Sequence, residues 1–124
     1  LRVQDIHLVL MLLLNRARKS LNLKYPQKNR EKKLEIVSLV DEEEGRKYLQ
    51  VRIVDYGTAL DPETIAVVLG DDSAAEITDN ETARNLKVCR ELIEKGHRGR
   101  FTVASGMDGQ TSTSFSLPVQ TVPE

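Results

Sequence analysis

Over Gln4 to about Leu21, apolar side chains recur at three- and four-residue steps, at Ile6, Val9, Leu10, Leu13, Leu14 and Ala17. At Leu34 and Ile36, Val51 and Ile53, Phe101 and Val103, and Phe115 and Leu117 they recur at every second residue. That change of period constrains the fold most, because a helix returns to the same face about every 3.6 residues and a strand every 2. It predicts a helix, a basic loop over Asn22 to Lys33 broken by Pro26, and a hairpin with strands Leu34–Asp41 and Lys47–Asp55 around a turn at Glu42 to Arg46. Asp61 and Pro62 suit an N-cap and a first helical position, and open a short helix to Leu69 that Gly70 stops. An acidic stretch, Asp71 to Glu81, leads into a helix over Thr82–Lys95 with Leu86, Cys89, Leu92 and Ile93 on one face and Gly96 as its stop. Strands Arg100–Ser105 and Thr113–Val119, around a Gly106–Gly109 turn, end the pattern. A doubly wound parallel sheet needs a helix after each strand, so this order predicts an α+β fold, a two-layer sandwich with a mixed or antiparallel sheet and helices on one face.

At 124 residues and 40% apolar content, the chain is read as one domain over 1–124. A net charge of −1 gives no electrostatic reason to expect nucleic acid or an anionic membrane as partner. Cys89 is the sole cysteine, so no internal disulfide forms and a reducing, cytoplasmic setting fits best. The apolar run Leu8–Leu14 is far shorter than the roughly 20 residues of a membrane span, which predicts a soluble domain without direct membrane insertion. The first residue, Leu1, suggests a piece of a longer protein.

The stretch Val51 to Leu60, VRIVDYGTAL, carries the most chemistry. A strand runs into Asp55, and Gly57 follows one residue later. A carboxylate at a strand end accepts a hydrogen bond from an exocyclic amine, and a nearby glycine lets backbone approach a flat ring. Asp and Gly are also ordinary turn residues, so this pair alone is weak evidence.

Four stretches in order resemble the ATP-binding domain of sensor histidine kinases, in the superfamily that includes Hsp90-like and MutL-like ATPases, with its Bergerat-type fold. LVLMLLLNRARKSL resembles the N box and VRIVDYGTALDPETI the DxGxG box. ETARNLKVCRELIEKGHRGRFTVAS resembles the second glycine-rich box, and GQTSTSFSLPV the closing strand. The resemblance implies that Asp55 reads adenine and that Gly57 is the first glycine of its box. In one N-box register Asn15 takes the Mg²⁺-ligating place and Arg18 the basic place beside phosphate. In the other, Ala17 and Lys19 take the small and basic places, and Arg16 replaces the metal ligand with a group that has no lone pair to offer. The first register is preferred, which makes Asp55, Gly57, Asn15 and Arg18 the nucleotide-binding set, Asn15 the metal ligand, and no residue catalytic.

Several positions depart from the family. The second glycine of the DxGxG box is Ala59, and the lid glycines are absent from ETARNL at 81–86, after a short, acidic, divergent lid at about 70–84. Carboxylates beside a triphosphate are repulsive unless cations intervene. ATP and Mg²⁺ are therefore the implied ligands, with weak or absent binding expected. The resemblance then implies a degenerate catalytic-type domain of a two-component sensor kinase, regulatory or protein-docking. Its partners would be a neighbouring dimerisation and phosphoacceptor helical domain or a response-regulator receiver domain. The alternatives are an active Mg-ATP-dependent histidine autokinase domain and a phosphorelay adaptor that docks a receiver. Plain readings stand beside these: Asn15 and Arg16 as the solvated end of a helix, the acidic loop as surface, His7 as a half-buried structural residue, His97 as charge placed at a helix end, and Cys89 as inert core.

Overall fold

The computed structural model describes residues 3–30, 32–70, 81–106 and 110–119. Three helices and four strands follow in the order α1 (Val3–Lys24), β1 (Leu34–Glu43), β2 (Arg46–Asp55), α2 (Pro62–Leu69), α3 (Glu81–His97), β3 (Arg100–Ser105) and β4 (Thr111–Pro118). Of the acidic stretch Asp71 to Glu81 and the lid expected at about 70–84, residues 71–80 lie outside the described residues, as does the tip of the second turn at 107–109, while residues 81–84 belong to α3.

The strands form one antiparallel sheet in the order β1-β2-β4-β3. Each hairpin supplies one inner and one edge strand, and β2 and β4 join them. Register puts Val51 opposite Phe115, Phe115 opposite Phe101, Ile53 opposite Thr113, and Thr113 opposite Val103. Paired residues point to one side of a sheet, so these rows form a single face. The helices cover that face, with α1 against β2 and α3 against β3 and β4. The core between the layers contains Val9, Leu13 and Ala17 of α1, Leu86, Cys89 and Ile93 of α3, and Phe101, Phe115 and Leu117 of the sheet. The architecture is thus α+β with an antiparallel sheet.

Element ends depart from the sequence expectation where side chains other than apolar ones decide them. Helix α1 runs one turn further, to Lys24, and Tyr25 N–H extends its ladder to Leu21 C=O at 2.8 Å. The first hairpin turn is tighter than Glu42 to Arg46: Glu44 and Gly45 both have positive φ, 53° and 79°, the two-residue type I′ geometry that suits the strand twist. Gly96 does not stop α3. The reversal comes at Arg98, with φ 55°, and Gly99 N–H closes back on Ile93 C=O at 2.8 Å. Gly99 is the glycine this corner requires, because a Cβ there would lie 2.2 Å from the Ser116 carbonyl oxygen. Strand β4 begins at Thr111, two residues early, because Thr111 and Thr113 are wholly buried and continue the inward rows with hydroxyl side chains.

Polar contacts fasten the helices to one another. Arg90 Nη1 donates to the carbonyls of Val68 at 2.9 Å and Gly70 at 3.1 Å, while Lys87 Nζ donates to Gly70 O at 3.2 Å. These cations of α3 meet the negative end of α2, whose own last turn has no basic residue. At the other end of the layer, His97 Nε2 lies 3.1 Å from Asp5 Oδ2, joining the end of α3 to the start of α1. His7 is exposed rather than half-buried. Among the described residues, no helix is long and apolar enough to cross a membrane.

Candidate functional site

Strand β2 ends at Asp55, which has no exposed surface. One carboxylate oxygen, Oδ2, accepts from Nη2 of Arg16, and the other, Oδ1, accepts from Gly57 N–H at 3.0 Å. Arg16 is 9% exposed and reaches Asp55 from α1. It stands on the stripe formed by Val9, Leu13, Arg16 and Ser20, all buried. Helical geometry therefore turns this cation inward. The pair is not fully satisfied, because Arg16 Nε is buried without a hydrogen-bond partner. Each ion needs the other, since an unpaired charge at this depth is costly.

The turn after Asp55 lies directly on the backbone of α1. Ser20 Oγ donates to Thr58 O at 2.8 Å, and Thr58 N–H approaches Ser20 O at 3.4 Å. A Cβ on Gly57 would come within 2.6 Å of the Ser20 carbonyl carbon and 2.7 Å of the Leu21 nitrogen. The missing side chain of Gly57 is thus used against the protein's own helix. Further along, Leu60 N–H donates to Ser105 Oγ at 3.1 Å, and that hydroxyl lies 3.0 Å from Thr111 Oγ1, which anchors the loop to the ends of β3 and β4.

Beside this turn lies a cavity of about 460 Å³. Its walls are Leu12, Asn15, Arg16, Lys19, Ser20 and Leu23 of α1, the loop residues Thr58, Ala59 and Leu60, and Glu81, Thr82, Asn85 and Leu86 at the start of α3. Asn15 is thus at the cavity. Arg18, exposed on α1, is not part of its lining, and the basic residue that does line it beside Arg16 is Lys19. Asp55 and Gly57 are brought together but are not among the residues that line the cavity. Apart from the Arg16–Asp55 pair, the lining carries Lys19 and Glu81, one charge of each sign, so among the described residues it presents no excess of positive charge to a polyphosphate. Among the described residues, no three His, Cys, Asp or Glu side chains gather to hold a metal ion.

Arg16 is thus turned inward, and Lys19 stands at the cavity. The readable signal is Arg16 itself, a charged residue on an otherwise buried stripe, which implies a buried counter-ion. Asn85 and Ser20 carry no comparable mark in the sequence. Cys89 is fully buried, and burial pushes its thiol up to about 12 from 9.0. It is not positioned as a nucleophile. The sequence matches no protein-family model and no curated protein.

Proposed function

We propose that the chain is a degenerate ATP-binding-type domain of a two-component sensor histidine kinase, with a Bergerat-type arrangement, that acts through protein contacts rather than phosphoryl transfer. The observation that carries this reading is the pairing of Asp55. The carboxylate that would read an adenine amine accepts from Arg16 on one oxygen and from Gly57 N–H on the other, and it has no exposed surface. A base would have to displace a buried guanidinium to reach it. Ala59 adds a methyl group to the wall where the motif expects glycine, and the balanced Lys19 and Glu81 offer little to a triphosphate. The residues present do not suit Mg-ATP. The order of helix, hairpin, two helices and hairpin around an antiparallel sheet supports the fold assignment. A cytoplasmic helical phosphoacceptor domain or a receiver domain is the partner this reading expects.

The test is calorimetric titration of the chain with Mg-ATP and Mg-ADP, alongside thermal denaturation, for the native sequence and for Arg16→Asn. A ligand that binds only the folded state must raise its melting temperature. The native chain is expected to show neither heat nor a thermal shift at millimolar nucleotide. Micromolar binding that Asp55→Asn abolishes would overturn the proposal and return the autokinase reading.

A further inference from the structure

Strand β1 forms one edge of the sheet, and all ten of its residues are exposed. The layer of helices stops short of it, since α1 rests on β2. Leu34, Ile36, Val37, Leu39 and Val40 are between 38% and 64% exposed, an apolar strip on both faces of one strand. Charged side chains guard its two ends, at Glu35 and at Asp41 to Glu43, but not the stretch from Ile36 to Val40. No proline interrupts the strand, and its register with β2 runs without a bulge from Leu34 opposite Asp55 to Glu43 opposite Arg46.

The turn geometry shows which backbone groups face outward. In a type I′ turn the residue after the loop donates to the residue before it, so Glu43 and Arg46 form a hydrogen-bonded pair. Alternation then directs the backbone groups of Asp41, Leu39, Val37 and Glu35 toward β2. The bond from Val119 N–H to Lys47 C=O at 2.9 Å, on the far side of β2, has the parity this requires. The N–H and C=O groups of Leu34, Ile36, Ser38, Val40 and Glu42 therefore point away from the sheet, and of these the Glu42 N–H is taken by Asp41 Oδ1 at 2.9 Å.

The flanks select the occupant. Lys32 and Lys33 precede the apolar strip, and Asp41, Glu42 and Glu43 follow it. A parallel copy would place like charges together at both ends, whereas an antiparallel copy places the basic end over the acidic end twice. We infer that β1 pairs antiparallel with β1 of a second copy of this chain, about a two-fold axis at Val37, to make one continuous eight-stranded sheet.

Register follows from the same residues. With the axis at Val37, Leu34 lies opposite Val40 of the second copy, Ile36 opposite Ser38, Lys33 opposite Asp41 and Lys32 opposite Glu42. The outward backbone groups then meet one another, and both helix layers fall on one side. An axis at Ser38 would set Glu35 against Asp41, a like-charge pair. An axis at Ile36 would set Lys33 against Leu39 and lose the charge pairs. A one-residue slip would oppose outward groups with groups already bonded to β2.

Sedimentation equilibrium of the chain over roughly 10 µM to 1 mM tests this. The expected result is a monomer–dimer equilibrium in which Lys32→Glu with Lys33→Glu, and separately Asp41→Lys with Glu42→Lys, each raise Kd at least about tenfold. Mixing the two variants restores the dimer, because each end of the mixed pair is again oppositely charged. Under mild oxidant Val37→Cys forms a covalent dimer and Leu39→Cys does not. These substitutions lie on the exposed edge, and unchanged circular dichroism verifies that the variants fold. A chain that stays monomeric to the highest concentration overturns the inference. So does a dimer that neither charge reversal weakens.

Discussion

Removing Arg16 tests whether the buried ion pair is a mutual requirement. In Arg16→Met the aliphatic volume is largely kept, but the Asp55 carboxylate remains fully buried with only the Gly57 N–H, at 3.0 Å, of its two present partners. Breaking one side of a buried pair costs about 3–5 kcal/mol, and both side chains here are more than nine-tenths buried, so solvent screening offers little relief. That is a large share of the roughly 5–15 kcal/mol that holds a domain folded, and it corresponds to a drop in Tm of about 10–20 °C. Adding Asp55→Asn removes the orphaned charge while leaving an oxygen for Gly57, and the double variant is expected to lie within about 2 kcal/mol of the native chain. Urea unfolding followed by circular dichroism, with an unchanged m value, measures Arg16→Met, Asp55→Asn and the double variant against the native chain. A loss below about 1 kcal/mol for Arg16→Met, or single-variant losses that simply add, would refute the reasoning.

Gly57→Ala is expected to cost about 2 kcal/mol or more, because its Cβ would press on the backbone of Ser20 and Leu21 as well as on Ser20 Oγ; denaturant titration reads the loss. Asp61→Ala removes the acceptor for Glu63 N–H at 3.0 Å and should lower stability by about 1 kcal/mol, with Asp61→Ser largely restoring it in the same assay. Arg90→Met leaves the Val68 carbonyl without its guanidinium and the Gly70 carbonyl with Lys87 alone, and should raise amide exchange in α2 more than in β2, as hydrogen-exchange mass spectrometry will show. The Cys89 thiol, pushed up to about 12 from 9.0 by burial, favours the folded state below pH 9, and that contribution fades as pH rises from about 9 to 12 because the unfolded chain ionises first. Cys89→Ala should flatten this part of the stability–pH curve, and a curve of unchanged slope would count against it.

The succession of helices and strands was legible because apolar spacing changes period with secondary structure, and α1, α3 and both hairpins occur where that spacing places them. Their ends were less so. The early start of β4 is hidden by threonines, which fill inward positions without registering as apolar, and the stop of α3 is set by the fit of Gly99 against β4, a contact between distant residues. Strand order is likewise invisible to spacing, because nothing local states that β2 meets β4. At the site, Asp55 and Gly57 stand out as a strand-end carboxylate followed by a glycine. What they touch is marked only by the helical step of Arg16 from Val9 and Leu13, a faint signal because a long guanidinium at the polar end of a helix ordinarily reaches for water.

The central seam of the sheet also governs how the molecule assembles. Each hairpin closes between neighbours in the chain, but β2 and β4 pair from Asp55 opposite Thr111 to Tyr48 opposite Pro118, across both later helices. Chain entropy makes such distant closure the slow part of folding, while hairpins form within microseconds. The Ser105 and Thr111 hydroxyls that anchor the loop after Asp55 belong to the second hairpin, so the cavity takes its final shape only when the two halves zip together. A nascent chain released before β4 therefore holds every residue of the Arg16–Asp55 pair and still lacks the Thr111 end of the anchor that fixes the loop beside it.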